Sequence, residues 1–377
     1  MKSKKLVLIF LTLFCLIFGV ISLVIFFVDP LRIFHKPIIC KDNIEIVLRL
    51  GDKTLIDHYE FDSVILGTSM LENTSSAEAS EILGGKFMNL SIAGGDFLER
   101  SLILNYAHKK KNLKKIIYSL DTDKFLKQRK GDTTYSPLKF YFLYDDNKFN
   151  DFKVYFYKYM LTRVGKNLLK CTSQNTDRVN AWFEMQEHKV RFGGFENWLR
   201  YKASWLIGEE TEKIIDGIQK INNNKIQSLE NLDEQILKSK NYVDEYILKF
   251  VSQNPQTEFY IVLPPYSRIH NAIEFHTKKR DFLVTKEVLR YLVEQSQIYK
   301  NLKIYAWGDT DYPDNIANYK DLTHYSHKFN SQMLEYLRDG TGLLTPQNFN
   351  EYYAKFEQKS REFDLMPYYE KIKDLTE

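Results

Sequence analysis

The chain has 377 residues, room for one large or two medium domains, and its 44% hydrophobic and 27% charged residues allow a sizeable buried core and exclude wholesale disorder. A net charge of +4, spread along the chain, forms no basic stripe, so nucleic acid is not an expected partner. The three cysteines include no Cys-x-x-Cys and no Cys/His cluster, so no structural zinc site is expected; Asp121, Asp123 and the histidines lack metal-ligand spacing, and no other metal or cofactor is expected either.

Residues 6–28 read LVLIFLTLFCLIFGVISLVIFFV, 23 positions without a charge. At 1.5 Å per residue a helix of this length spans a hydrocarbon core of about 30 Å. Lys2, Lys4 and Lys5 precede it, which by the positive-inside rule predicts a cytoplasmic tip at 1–5 and an exported remainder. A cleaved signal peptide has a shorter apolar region ending in small residues. Here the run ends in Phe26, Phe27 and Val28 before Asp29 and Pro30, and the expectation is an uncleaved anchor. Cys15 lies inside that run, leaving Cys40 and Cys171 as the one pair able to form a disulfide in an oxidising compartment.

Residues 29–60 read as a connector with one helix. From 61 an α/β domain is expected to run to about 345. Phe61, Val64, Ile65 and Leu66 form a short strand that meets Gly67, Thr68 and Ser69. A helix is expected over 72–83, a second strand over 86–91 ending at Ala93, Gly94 and Gly95, a helix over 97–110, and a third strand over 115–120 ended by Asp121, Thr122 and Asp123. This alternation predicts a parallel sheet with right-handed crossovers, its loops gathered at one edge. Between about 125 and 250 the pattern turns helical and aromatic (149–169 and 179–206, then 230–251), an insertion rather than more sheet. Those aromatics fit a core as well as a sugar-binding cleft. Strands at 257–263 and 302–306 with a helix at 278–295 complete the sheet, and a charged, aromatic tail at 346–377 reads as helical.

Three features carry chemistry. Ser69 follows the first strand, where a hydroxyl beside a helix N-terminus serves either as a helix N-cap or as a nucleophile with donors at hand. Asp321 and His324 follow the last strand, three residues apart, so that the carboxylate can orient an imidazole acting as a base; His327 lacks an Asp at that offset. After the second strand, Asn89, Gly94 and Gly95 mark a turn where backbone N–H groups can approach a bound group.

In this order the three features resemble the blocks of the SGNH (GDSL-type) hydrolase superfamily. Gly67, Thr68 and Ser69 stand where that family has Gly-Asp-Ser. The run 89–94 is similar to its oxyanion block, and Asp321 with His324 matches its Asp-x-x-His. The resemblance implies a flavodoxin-like α/β/α sandwich with a parallel sheet. It implies Ser69 as nucleophile, His324 as base, Asp321 as its orienter, and the Ser69 and Gly94 N–H groups as oxyanion donors. The family's third block, Gly-x-Asn-Asp, is absent; Asp121 and Asp123 stand there, and a carboxylate facing the site would repel an oxyanion. With its N-terminal anchor, the chain is similar in layout to the D-alanyl-transfer proteins of teichoic acid modification and the alginate O-acetylation proteins. That likeness implies esterase or O-acyltransferase activity outside the cytoplasm on an acylated envelope polysaccharide or glycolipid, with a membrane-bound acyl donor as partner. A protein of this type without catalysis, binding or scaffolding an envelope assembly, is the other reading the altered third block leaves open.

Overall fold

The computed structural model describes residues 2–29, 33–35, 48–128, 140–156, 177, 181–200 and 205–376. The chain divides into two compact units, 1–60 with 136–179 and 61–135 with 180–377. Part of the segment read as an insertion, 136–179, therefore belongs with the N-terminal unit. Cys40 and Cys171 lie outside the described residues, as does most of the helix expected over 149–169.

In the first unit α1 (Lys2–Val28) is apolar and exposed along nearly its whole length, and it is long and apolar enough to cross a membrane. A helix α2 (Leu48–His58) follows, and Tyr144 from a 3-10 turn at Tyr141–Tyr144 donates its hydroxyl to the Arg49 carbonyl at 2.7 Å.

The second unit is α/β. Five short apolar runs form parallel strands: β1 (Ser63–Leu66), β2 (Phe87–Asn89), β3 (Lys115–Ser119), β4 (Glu258–Leu263) and β5 (Leu302–Ala306). A sixth, β6 (Leu343–Leu344), pairs antiparallel with β5, and the spatial order is β2-β1-β3-β4-β5-β6. The strands are buried nearly throughout, which is why they read as continuous rather than alternating apolar runs. Because β2 lies on one side of β1 and β3 on the other, the chain reverses its winding between β1 and β3 and leaves a crevice at their carboxyl ends.

The helices of this unit include α3 (Ser76–Leu83), α4 (Phe97–Lys110), α5 (Thr122–Lys127), α6 (Trp205–Asn222), α7 (Leu232–Val243), α8 (Arg268–Thr277), α9 (Lys279–Ile298), α10 (His327–Asp339), α11 (Phe349–Glu362) and α12 (Met366–Thr376). Among its described residues, the segment expected as one helix over 179–206 holds only short ones at Gln186–Lys189 and Phe195–Arg200 before α6. α3 packs on α10, α7 on α9, and α8 on both α6 and α11. The charged tail thus closes on the domain: Phe349, Tyr352 and Tyr353 of α11 are buried. The helix expected from residue 72 begins instead at Ser76, capped by Ser75, whose hydroxyl accepts the Glu78 N–H. Residues 69–73 are a non-helical turn, so Ser69 does not stand at a helix N-terminus.

Gly67 links β1 to this turn, and it must be glycine for lack of space. A Cβ there would lie 2.6 Å from the Ser119 Oγ and 2.9 Å from the Leu71 Cδ1. Gly67→Ala is expected to destabilise the domain by about 1–3 kcal/mol through overpacking. A denaturant midpoint equal to that of the natural chain would show that the turn moves aside freely.

Candidate active site

Ser69 is partly exposed at the carboxyl end of β1. Its turn has few backbone hydrogen bonds of its own (Leu71 N–H to Thr68, Thr74 N–H to Leu71), so its carbonyls need other partners. Side chains from separate elements supply them. The Trp182 indole N–H reaches the Ser69 carbonyl at 2.9 Å. Tyr325 Oη and Asn330 Nδ2 both donate to the Met70 carbonyl, at 3.0 and 2.9 Å. Asn89 Nδ2 donates to the Leu71 and Thr74 carbonyls, at 2.8 and 2.9 Å.

Asp321 and His324 sit on a tight hairpin between β5 and α10, closed by an antiparallel bridge between Tyr319 and Tyr325. The Asp321 Oδ1 accepts the backbone N–H groups of Thr323 and His324, at 3.0 and 2.8 Å, which sets the turn. The His324 Nδ1 lies 2.9 and 3.0 Å from the two Asp321 oxygens. On the ring's other side Nε2 lies 2.8 Å from the Ser69 Oγ, joining residues 255 positions apart. An ionised carboxylate only accepts, so Nδ1 carries the ring proton and Nε2 is left to accept from the serine hydroxyl.

The remaining expected residues separate into two groups. Gly94 is partly exposed in the turn after β2, with φ +64, a conformation costly for any residue with a Cβ. Among the described residues, neither its N–H nor that of Ser69 has a hydrogen-bond partner. Asn89 and Gly95 do not take the part expected of them. The Asn89 amide is buried and spent on the Ser69 turn, with its Oδ1 on the Ser91 N–H, and the Gly95 N–H donates to the Ile92 carbonyl. Asn89 thus positions the serine turn.

Asp121 does not confront the site with a free charge. It is 2% exposed, accepts Thr68 Oγ1 at 2.8 Å and Ser119 Oγ at 2.6 Å, and faces the Arg100 Nη1 at 3.4 Å. Arg100 is itself fully buried, stacked over the Phe97 and Tyr118 rings and donating to the Ser119 carbonyl at 2.7 Å. The Thr68 hydroxyl beside Ser69 thereby becomes a tether to the end of β3. Asp123 points outward to Lys124 and Lys127.

One side of the site comes from the aromatic segment expected over 179–206, whose individual residues the sequence did not single out. The segment around 181–192 brings Trp182, His188 and Arg191 against it. The Trp182 ring meets the His324 ring edge-on at 5.5 Å, and Lys320 Nζ lies 4.1 Å from the Trp182 ring centre. Lys320 donates to His188 Nδ1 at 3.0 Å, and Lys320 and Arg191 lie 3.8 and 3.9 Å from Asp321 Oδ2. Burial alone would raise the Asp321 carboxyl, but His324, Lys320 and Arg191 hold it well below the usual carboxylate range. Burial, and the same two cations, push His188 down to about 4. Glu210 of α6 accepts the Leu322 N–H at 3.2 Å; burial and the Asp321 charge raise its carboxyl.

No family model and no curated protein matches the chain.

The environment of His188 has a measurable consequence. Folded, it holds no proton until about pH 4, whereas in the unfolded chain it takes one near 6.5. Unfolding therefore binds a proton between these values, and the stability that neutral His188 contributes is present above about 6.5 and lost as pH falls towards 4. His188→Gln keeps an acceptor for Lys320 and removes the titration. Urea unfolding between pH 7 and 4 is expected to show a shallower acid loss for this variant than for the natural chain; parallel curves would contradict the assignment.

Proposed function

We propose that the chain is a serine esterase or O-acyltransferase, with Ser69 as nucleophile, His324 as base and Asp321 as orienter. The observation that carries this reading is the unbroken relay from the Ser69 Oγ through the His324 ring to the Asp321 carboxylate, with hydrogen-bond distances of 2.8 and 2.9 Å. The strand order 2-1-3-4-5 is that of flavodoxin-like doubly wound sheets, whose ligands bind at the reversal point where Ser69 stands, and it supports an SGNH-like sandwich.

In the first half-reaction Ser69 Oγ attacks an acyl carbonyl while His324 Nε2 takes the hydroxyl proton. The carbonyl oxygen gains charge and is met by the unpartnered N–H groups of Ser69 and Gly94. The Asp321 charge, held in place by Lys320 and Arg191, compensates the imidazolium. The alcohol then leaves with the proton from Nε2, and the acyl group stays on Ser69. Water or a sugar hydroxyl attacks the acyl-serine in the second half-reaction, passing its proton to His324, and the free acid or new ester departs as Ser69 recovers its hydrogen. The carboxylate at the altered third block, which argues for a non-catalytic binder, is neutralised by Arg100 and tied by Thr68 and Ser119.

α1, with its lysines at the start, supports a chain fixed in the cytoplasmic membrane, N-terminus inside and the α/β unit outside. An acyl ester of an envelope polysaccharide or glycolipid is the substrate class such a placement offers, and a membrane-bound acyl donor is the partner transfer would need.

A fluorophosphonate should label the natural protein at Ser69, and Ser69→Ala should abolish labelling together with aryl-ester release, a loss of at least about a thousandfold. Recovery of the label on another serine, or equal release by the variant, would end the proposal. Trp182→Phe keeps the ring and removes the donor to the Ser69 carbonyl. It should slow Ser69 labelling roughly tenfold, the worth of one hydrogen bond to a positioned group, without changing the shape of the pH profile. An unchanged rate would assign Trp182 to packing alone.

A further inference from the structure

The N-terminal unit carries an exposed apolar feature that the reaction does not use. Phe149 is 93% exposed, in a turn joining the 3-10 turn at Tyr141–Tyr144 to a second at Asp151–Phe156. That exposure is built. Asp145 Oδ1 accepts the Asn147 N–H at 2.8 Å, Asn147 Oδ1 accepts the Phe149 N–H at 3.0 Å, and Asn150 Nδ2 donates to Asp145 Oδ2 at 2.7 Å. Beneath the turn Phe140, Leu143 and Val154 are buried, and Lys53 Nζ stands 3.5 Å from Asp151 and 2.9 Å from Asp57. An ordered turn on a packed base thus holds a bare phenyl ring in the solvent.

Its neighbours say what covers it. At the end of α1 the Asp29 carboxylate accepts the N–H groups of Ile33 and Phe34, at 3.1 and 2.9 Å, and folds the chain back on the helix. Phe34 then lies 5.7 Å from Phe26 of the last turn of α1 and stacks at 4.4 Å on Phe152. Phe152, 38% exposed, is three residues from Phe149. A row of three aromatic rings, Phe26, Phe34 and Phe152, therefore leads from the end of the membrane-length helix to the base of the turn that carries Phe149.

Aromatic rings are favoured at the boundary between headgroups and acyl chains, and exposed lysines beside them lay their stems on the apolar layer with the ammonium in the headgroups. Lys148 and Lys153 are such lysines, and Asp145 and Asp146 offset their charge, so the attraction needs no anionic lipid. We propose that the 145–152 turn is a membrane-interface anchor, with Phe149 seated at the headgroup–acyl boundary of the bilayer crossed by α1. This rests on α1 spanning that bilayer.

The test uses the full chain in phosphatidylcholine vesicles, with Phe149→Trp read as a difference from the natural protein. Phe18→Trp, in the middle of α1, is the control. Acyl chains brominated near the headgroup should quench the residue-149 emission more than chains brominated near their ends, with the reverse order at residue 18. Quenching at 18 without quenching at 149 overturns the anchor and leaves the helix assignment intact. This holds also where the residue-149 emission is blue-shifted, since the cover is then protein, a second copy included. Absence of quenching at both positions overturns the membrane reading, and the anchor falls with it.

Discussion

A turn that belongs neither to a strand nor to a helix must find donors for its carbonyls elsewhere, and the candidate site depends on how the Ser69 turn meets that requirement. Helical structure begins only at Ser76, so the carbonyls of Ser69, Met70, Leu71 and Thr74 point into a largely buried region. A buried carbonyl left without a partner costs about 1–3 kcal/mol. Trp182, Tyr325, Asn330 and Asn89 meet all four from three stretches of chain. Two of these donors flank the histidine hairpin. The element that presents His324 therefore also fixes the serine it faces, and the 2.8 Å approach of the two side chains follows from backbone anchoring on both sides.

Charge is arranged on the same principle. Two buried aspartates lie near the serine, and their surroundings give them different work. Asp121 is met by Arg100 and by hydroxyls, so its charge is consumed in holding β3 to the Thr68 backbone segment. Asp321 faces Lys320, Arg191 and the histidine ring, so it stays ionised and its field falls on the imidazole. Buried cations beside an orienting carboxylate lower its basicity. In this arrangement the aspartate fixes the ring's tautomer and does not compete for its proton.

The sheet was legible because parallel strands buried on both faces are unbroken apolar runs, and five of them were read near their observed places. β6 was not: a two-residue antiparallel edge leaves no run to read. The helix start at Ser76 had a readable sign in Ser75 with Glu78, obscured by the helix-forming residues before it. Asp321 and His324 could be paired because one turn of chain holds both. Trp182, His188 and Arg191 could not, since only tertiary packing brings them to the site and nothing local in their sequence announces it. Asp121 looked hostile in sequence because Arg100, the charge that answers it, stands 21 positions away on α4.

The separation of 255 positions between the serine and its histidine bears on how the protein comes into being. A chain made from its N-terminus exposes Ser69 long before the hairpin and α10 exist. Until then the serine lacks both its histidine partner and two of the carbonyl donors that shape its turn. Closing so long a loop is among the slow steps of folding. In a truncated or half-synthesised chain Ser69 thus has no histidine beside it, and the pairing arrives only with the last part of the domain, as a certificate that the whole fold is present.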